Sequence, residues 1–179
     1  PGVPEAPALV QAFKENAVAE SITPGVWFIG GGSHNSVAIE MSDHLLLVEA
    51  PLYDGRSQAV LDALKRLSNK PVRYVVNSHH HFDHAGGLRT AAAAGATLVV
   101  SEAARPWFER TLANPNRIGP DALAKSGRNI HLLGVGAKHE FNDGTRKVEI
   151  HAFDGSVHAR GFLMVYLPAE RILIEADAY

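Results

Sequence analysis

The chain has 179 residues, 46% of them apolar and 20% charged, with a formal net charge of −2. These values fit one soluble globular domain with a real core, and no long run of Lys and Arg marks a nucleic-acid surface. No apolar run approaches the roughly 18–20 residues of a membrane span, and the lack of cysteine removes disulfides, thiolate metal ligands and a cysteine nucleophile together.

The chain begins at Pro1 and carries no apolar signal core, which predicts a processed or excised chain. Composition leaves the compartment open; a periplasmic or secreted location after loss of a signal peptide is compatible with it. Residues 1–23 read as a lead-in segment, with a weak helical pattern around Ala8–Val18. From Val26 the signals sharpen. "VWFIG" (26–30) and "SVAIEM" (36–41) are short β-rich runs joined by the glycine-rich hairpin signal "GGSHN". "HLLLVEA" (44–50) has the continuous apolar pattern of a buried strand. Asp54 is placed to cap a helix in which Val60, Leu61, Leu64 and Leu67 recur at helical spacing, and Pro71 ends it.

"VRYVV" (72–76) is the next predicted strand, followed at once by "NSHHHFDHAGG". "GLRTAAAA" reads as a short helix, "ATLVVS" as a strand and Ala103–Leu112 as a helix. Residues 113–128, with Pro115, Gly119, Pro120 and Gly127, read as loop. "RKVEIHAF", "FLMVYLP" and "RILIEA" are three late strand signals, the last two joined by a turn at "PAE". Strands interleaved with helices predict an α/β or mixed sheet layered with helices. The histidine cluster then lies at the carboxyl end of a strand, where open α/β sheets place their ligand sites.

That cluster puts four of the chain's ten histidines and one aspartate within six positions. His79 and His81 are two residues apart, so in locally extended chain both rings share one face and can reach one ion. Asp83 and His84 follow one turn later and can reach a second. Imidazole and carboxylate suit Zn²⁺, and also Fe or Mn. A solvated polar loop, or a histidine tract that binds metal adventitiously, is the competing reading; the position between a strand and "AGG" argues against it. The flanking glycines fit a backbone that must turn sharply around an ion. His80 is expected to point away from His79 and His81, into packing or a supporting role. His34, in the hairpin loop, is a candidate for substrate contact. His44, His131, His139 and His151 read as ordinary surface or strand residues. "GGG" (30–32) lacks the Lys-Ser/Thr of a phosphate loop, and there is no Gly-x-Ser-x-Gly elbow.

"SHHHFDH" resembles the His-x-His-x-Asp-His signature of the metallo-β-lactamase superfamily. "VWFIGGGSHNSVAIEMSDHLLLVEAP" is similar to that family's opening strands, and "VHARGFLMVYLPAERILIEAD" to its later segment, in which a histidine precedes two strands and an Asp closes the second. The resemblance covers residues 24–179 and implies a four-layer αββα sandwich. It implies His79, His81 and His158 as ligands of a first metal, Asp83 and His84 as ligands of a second, and Asp177 as a carboxylate bridging both. Ala176-Asp177 stands where the family often has Gly-Asp. The family's second metal takes a further histidine from a later segment, and none of these 179 residues is assigned to that role. The expectation is therefore a C-terminally truncated domain, with strand surface such as "FLMVYL" partly uncovered and self-association possible.

The activity implied is that of a metal-dependent hydrolase, one or two Zn²⁺ ions activating water against an ester, lactone, thioester, amide or phosphoester of a small molecule, with Asp83 as proton acceptor. Asp177 favours branches such as glyoxalase-II-like and lactonase-like enzymes over the β-lactamases proper, which generally carry Cys or Ser there. A mono-iron enzyme of the same fold acting on persulfides and a non-catalytic metal-binding module remain as alternatives.

Overall fold

The computed structural model describes residues 15–114 and 119–178. A seven-stranded sheet runs in the order β1 (Val18–Thr23), β2 (Val26–Gly30), β3 (Ser36–Glu40), β4 (Leu45–Val48), β5 (Val72–Val76), β6 (Thr97–Ser101) and β7 (Leu132–Val135). The first four strands pair antiparallel through short turns. From β4 onward the pairing is parallel, so each connection must cross over, and helices do this. They are α1 (Asp54–Leu67), then α2 (Phe82–Ala85) and α3 (Leu88–Ala93), then α4 (Arg105–Ala113) and α5 (Ala122–Ser126). A second, antiparallel sheet has the order β11 (Ile172–Ile174), β10 (Phe162–Leu167), β9 (Lys147–Phe153), β8 (Lys138–Asn142).

Two apolar cores follow from strand alternation. In β4, Leu45 and Leu47 face the helices and meet Val60, Leu64 and Leu88. Leu46 and Val48 face the second sheet and meet Ile150, Leu163 and Val165. Burial on both faces explains why "LLLV" has no polar alternation. The described layers are thus helices, sheet and sheet. In β10, Leu163, Val165 and Leu167 fill the inter-sheet core, while Met164 and Tyr166 are half-buried on the opposite face.

Several sequence expectations need correction. Within the segment read as a lead-in, Val18–Thr23 is an edge strand paired with β2, and the rest of the Ala8–Val18 pattern falls largely outside the described residues, as does Pro115. Asp54 does not cap α1: Tyr53 is the cap position, and the Asp54 carboxylate accepts from Thr90 Oγ1 at 2.8 Å. The stretch read as loop contains α5, whose amide at Ala124 is capped by Asp121 at 2.9 Å. β7 and β8 have no counterpart in the sequence reading. Of the two readings of His44, surface or strand, the first fails: it is buried beside Tyr74 and Asp43, just before β4. Gly86 has an ordinary helical φ of −64°. It is needed for close approach, since a Cβ there would lie 1.7 Å from the Leu52 carbonyl oxygen.

Candidate metal centre

The carboxyl ends of β4 and β5 open at one edge of the inter-sheet seam. Asn77 extends β5 by donating its amide to Val99 O at 2.9 Å, and its side chain holds the His84 carbonyl at 3.0 Å. Leu163 N donates to Ser78 O at 2.8 Å, which docks the start of β10 beside this loop. The turn carrying His158 is thereby brought across from the second sheet. At its base, Phe162 is fully buried and stacks on the His79 ring at 5.1 Å between centroids.

Three ring nitrogens converge. His79 Nε2 is 3.1 Å from His81 Nδ1, His81 Nδ1 is 3.0 Å from His158 Nε2, and His158 Nε2 is 3.2 Å from His79 Nε2. Each neutral ring presents either one N–H or one lone pair at that point, so three mutual contacts cannot all match donor to acceptor. A cation among the lone pairs removes the mismatch, and an all-imidazole trio suits a catalytic zinc position. His79 is held for this: Ser78 Oγ lies 2.9 Å from its Nδ1, which leaves Nε2 directed inward. Burial, followed by the neighbouring His84, His81 and His158, pushes its pKa down to about 3, so the ring stays neutral.

The carboxylates lie alongside. Asp177 Oδ2 is 3.0 Å from His84 Nε2, 3.5 Å from His158 Nε2 and 4.0 Å from His79 Nε2. It therefore stands between the imidazole trio and His84. Asp177 has a left-handed φ of 56°, an unfavourable conformation for a residue with a Cβ. Asp83 Oδ2 is 3.7 Å from His84 Nε2 and 3.0 Å from His34 Nε2. Burial opposes ionisation of Asp83, but its backbone amide and the neighbouring His84 and His34 outweigh that and hold its pKa below the ordinary value. In each of three sets the donor atoms lie within 4.8 Å of one another: His79, His81 and His158; His79, His84 and Asp177; and His34, Asp83 and His84.

The remaining histidines separate from this group. His80 turns away and packs against Trp107 with ring centroids 5.1 Å apart. His151 contacts Glu149, and His139 packs on Phe141. The sequence reading gave no role to Glu49, which is buried with a φ of 70°. Its carboxylate accepts from Ser78 N at 2.6 Å and lies 3.0 Å from His84 Nδ1. Burial works against the charged form of His84, yet Glu49, then Asp177 and Asp83, raise its pKa above the ordinary value. Arg56, also fully buried, was missed too. Its spacing with Val60, Ala63 and Leu64 puts it on the buried face of α1, and that periodicity was the available signal.

Comparison with known proteins bears on the fold and the family. A sequence model of the metallo-beta-lactamase superfamily matches residues 29–178. The chain belongs to that superfamily. Its fold is similar to a metallo-beta-lactamase from Pontibacter korlensis, with a TM-score of 0.69 and 19% identity, over 88% of this chain and 70% of that one. A Cronobacter sakazakii metallo-beta-lactamase described by an HARLDQ motif superposes with a TM-score of 0.65 and 22% identity, over 92% and 63% respectively. The 2,4-dinitroanisole O-demethylase subunit alpha of Nocardioides sp. (strain JS1661) is 24% identical over 166 residues, 92% of this chain. The chain spans 47% of the length of that relative. Among the described residues, no helix is long and apolar enough to cross a membrane.

Proposed function

We propose that this chain forms the metal site and cleft wall of a metal-dependent hydrolase, with residues 24–179 as one metallo-β-lactamase-like unit and residues 1–23 as its lead-in. The observation that carries the reading is the trio of ring nitrogens at 3.0–3.2 Å, with two carboxylates beside it. His79, His81 and His158 would hold a first zinc; Asp83, His84 and Asp177 would hold a second. A zinc there supplies Lewis acidity and lowers the pKa of a bound water to about 7.

The protein's own groups account for the rest. Asp83 is ionised at neutral pH, solvent-accessible, and so able to orient a water and accept its proton. Asp177, with Oδ2 at 3.0 Å from His84, 3.5 Å from His158 and 4.0 Å from His79, would serve both donor sets. A cleft of about 340 Å³ lined by His34, Asn35, Glu49, His84, Glu175 and Asp177 gives substrate a way in on the His84 and Asp177 side of the site. These groups suit a small molecule with a polarisable carbonyl, phosphoryl or activated ether centre, and the O-demethylase relative motivates including the last of these.

The test is metal analysis of protein purified without added metal, followed by turnover of ester, lactone, thioester, phosphoester and aryl methyl ether panels. The longest natural chain containing these residues should be used. Zinc at one or two equivalents, with hydrolysis abolished in His81→Ala, supports the proposal. Stoichiometric iron with oxygen consumption on a persulfide would replace it with the oxygenase reading. Bound metal with no turnover would favour a binding module.

A further inference from the structure

We propose that His34, from the loop between β2 and β3, is itself a metal ligand and completes a two-histidine, one-carboxylate site with Asp83 and His84. This rests on the reading above that Asp83 and His84 hold a second ion. The sequence reading left one histidine of that position unassigned and gave His34 a substrate-contact role instead.

Three observations carry the assignment. The first is convergence. His34 Nε2 lies 3.0 Å from Asp83 Oδ2, which is 3.7 Å from His84 Nε2. Two imidazole nitrogens and one carboxylate oxygen, from the β2–β3 loop and from α2, lie within 4.8 Å of one another and form a three-ligand set of the kind a catalytic zinc accepts, with one position left for water. The second is the dressing of the rings. Ser33 Oγ lies 2.9 Å from His34 Nδ1, as Ser78 Oγ lies 2.9 Å from His79 Nδ1 and Glu49 lies 3.0 Å from His84 Nδ1. In each ring the outer nitrogen is engaged and the inner one faces the cluster, the arrangement that orients imidazole ligands.

The third is that the loop is fixed independently of any ion. The buried Arg56 guanidinium donates to the carbonyls of Asn16, Ile29, Gly30 and His34 at 2.7–3.3 Å, so both ends of the loop are tied to one rigid group. Gly31, at a φ of 106°, passes so close to Asn16 O that a Cβ would sit 2.4 Å from it. Ser36 Oγ then donates to Glu49 O at 3.0 Å, linking the loop's exit to the residue behind His84. His34 is thus presented to Asp83 by its backbone.

The experiment is a Co²⁺ titration of the full chain, wild type against His34→Ala and His81→Ala, with ¹⁵N-histidine spectra of the zinc-loaded protein. Wild type should bind two equivalents, and the second should shift the His34 Nε2 resonance. His34→Ala should keep the first equivalent and weaken the second by more than about 100-fold, beyond the range for a group that only supports a ligand. His81→Ala should lose the first. Two equivalents retained by His34→Ala, or an unshifted His34 Nε2, would overturn the assignment while leaving the first site standing. One equivalent in wild type, lost in His81→Ala, would also overturn it. No metal bound by wild type would sink the underlying reading as well.

Discussion

Glu49→Gln is the substitution that separates fold from site most sharply, because it keeps volume and removes one charge. The carboxylate accepts from Ser78 N with one oxygen and faces His84 Nδ1 with the other. A carboxylate can only accept, so it holds the proton of His84 on Nδ1 and leaves Nε2 free to ligate. A glutamine amide has one acceptor and one donor. If its oxygen keeps Ser78, its NH₂ faces Nδ1 and drives the proton to Nε2, which cannot then bind metal. If it flips, the NH₂ opposes the Ser78 N–H. Either way a charge-assisted hydrogen bond worth about 1.5–3 kcal/mol is lost. At about 1.4 kcal/mol per factor of ten, affinity for the ion at His84 should fall about 10–100-fold. Competition against a chelator gives both affinities, and melting of the metal-free protein gives the fold term. Melting below pH 6 should fall with the variant, because Glu49 raises the His84 pKa. That contribution is fully present below the ordinary pKa of about 6.5 and is lost as pH rises through the folded value. Unchanged affinity at His84, with His79, His81 and His158 still loaded, would refute the reasoning.

His81→Ala should lower metal affinity more than about 100-fold, whereas His44→Ala should leave metal content unchanged and only lose its buried contacts with Asp43 and Tyr74; metal analysis after dialysis compares them. Phe162→Ala should cost about 3–5 kcal/mol in a denaturant titration and also loosen His79, since the ring is fully buried and stacked on that imidazole. Gly86→Ala should cost about 1–3 kcal/mol and weaken the ion at Asp83, because the new Cβ displaces Leu52, whose amide donates to Asp83 O at 3.1 Å. Asp121→Asn should cost about 3 kcal/mol at pH 7, measured by denaturant, by breaking the buried pair with Arg89. Arg89 holds the Asp121 carboxyl below its ordinary pKa, so its stabilisation is complete above about pH 4 and is lost as pH falls through the folded value. The gap between wild type and variant should therefore narrow in acid.

The sequence exposed what has a period or a motif. β4 could be read because burial on both faces leaves an unbroken apolar run, and α1 because Val60, Leu61 and Leu64 repeat with the helix. β7 was hidden by Gly134 within "LLGV", and β8 by its polar outer face, since "KHEFN" buries little. The short spacing of His79 and His81 was legible as shared geometry. His158 and Asp177 were reachable only through family resemblance, because a tertiary turn brings them 77 and 93 positions back to His81 and His84. Glu49 and His34 meet His84 and Asp83 through contacts across the sheet edge, and no local pattern records those.

His79, His81 and His158 are expected to hold one ion. Zinc-edge anomalous diffraction from crystals grown with one equivalent of zinc tests it directly. The expected result is one strong peak with three imidazole nitrogens about 2.0–2.1 Å away. A peak elsewhere, or His158 turned into solvent with the zinc on other groups, would contradict the account.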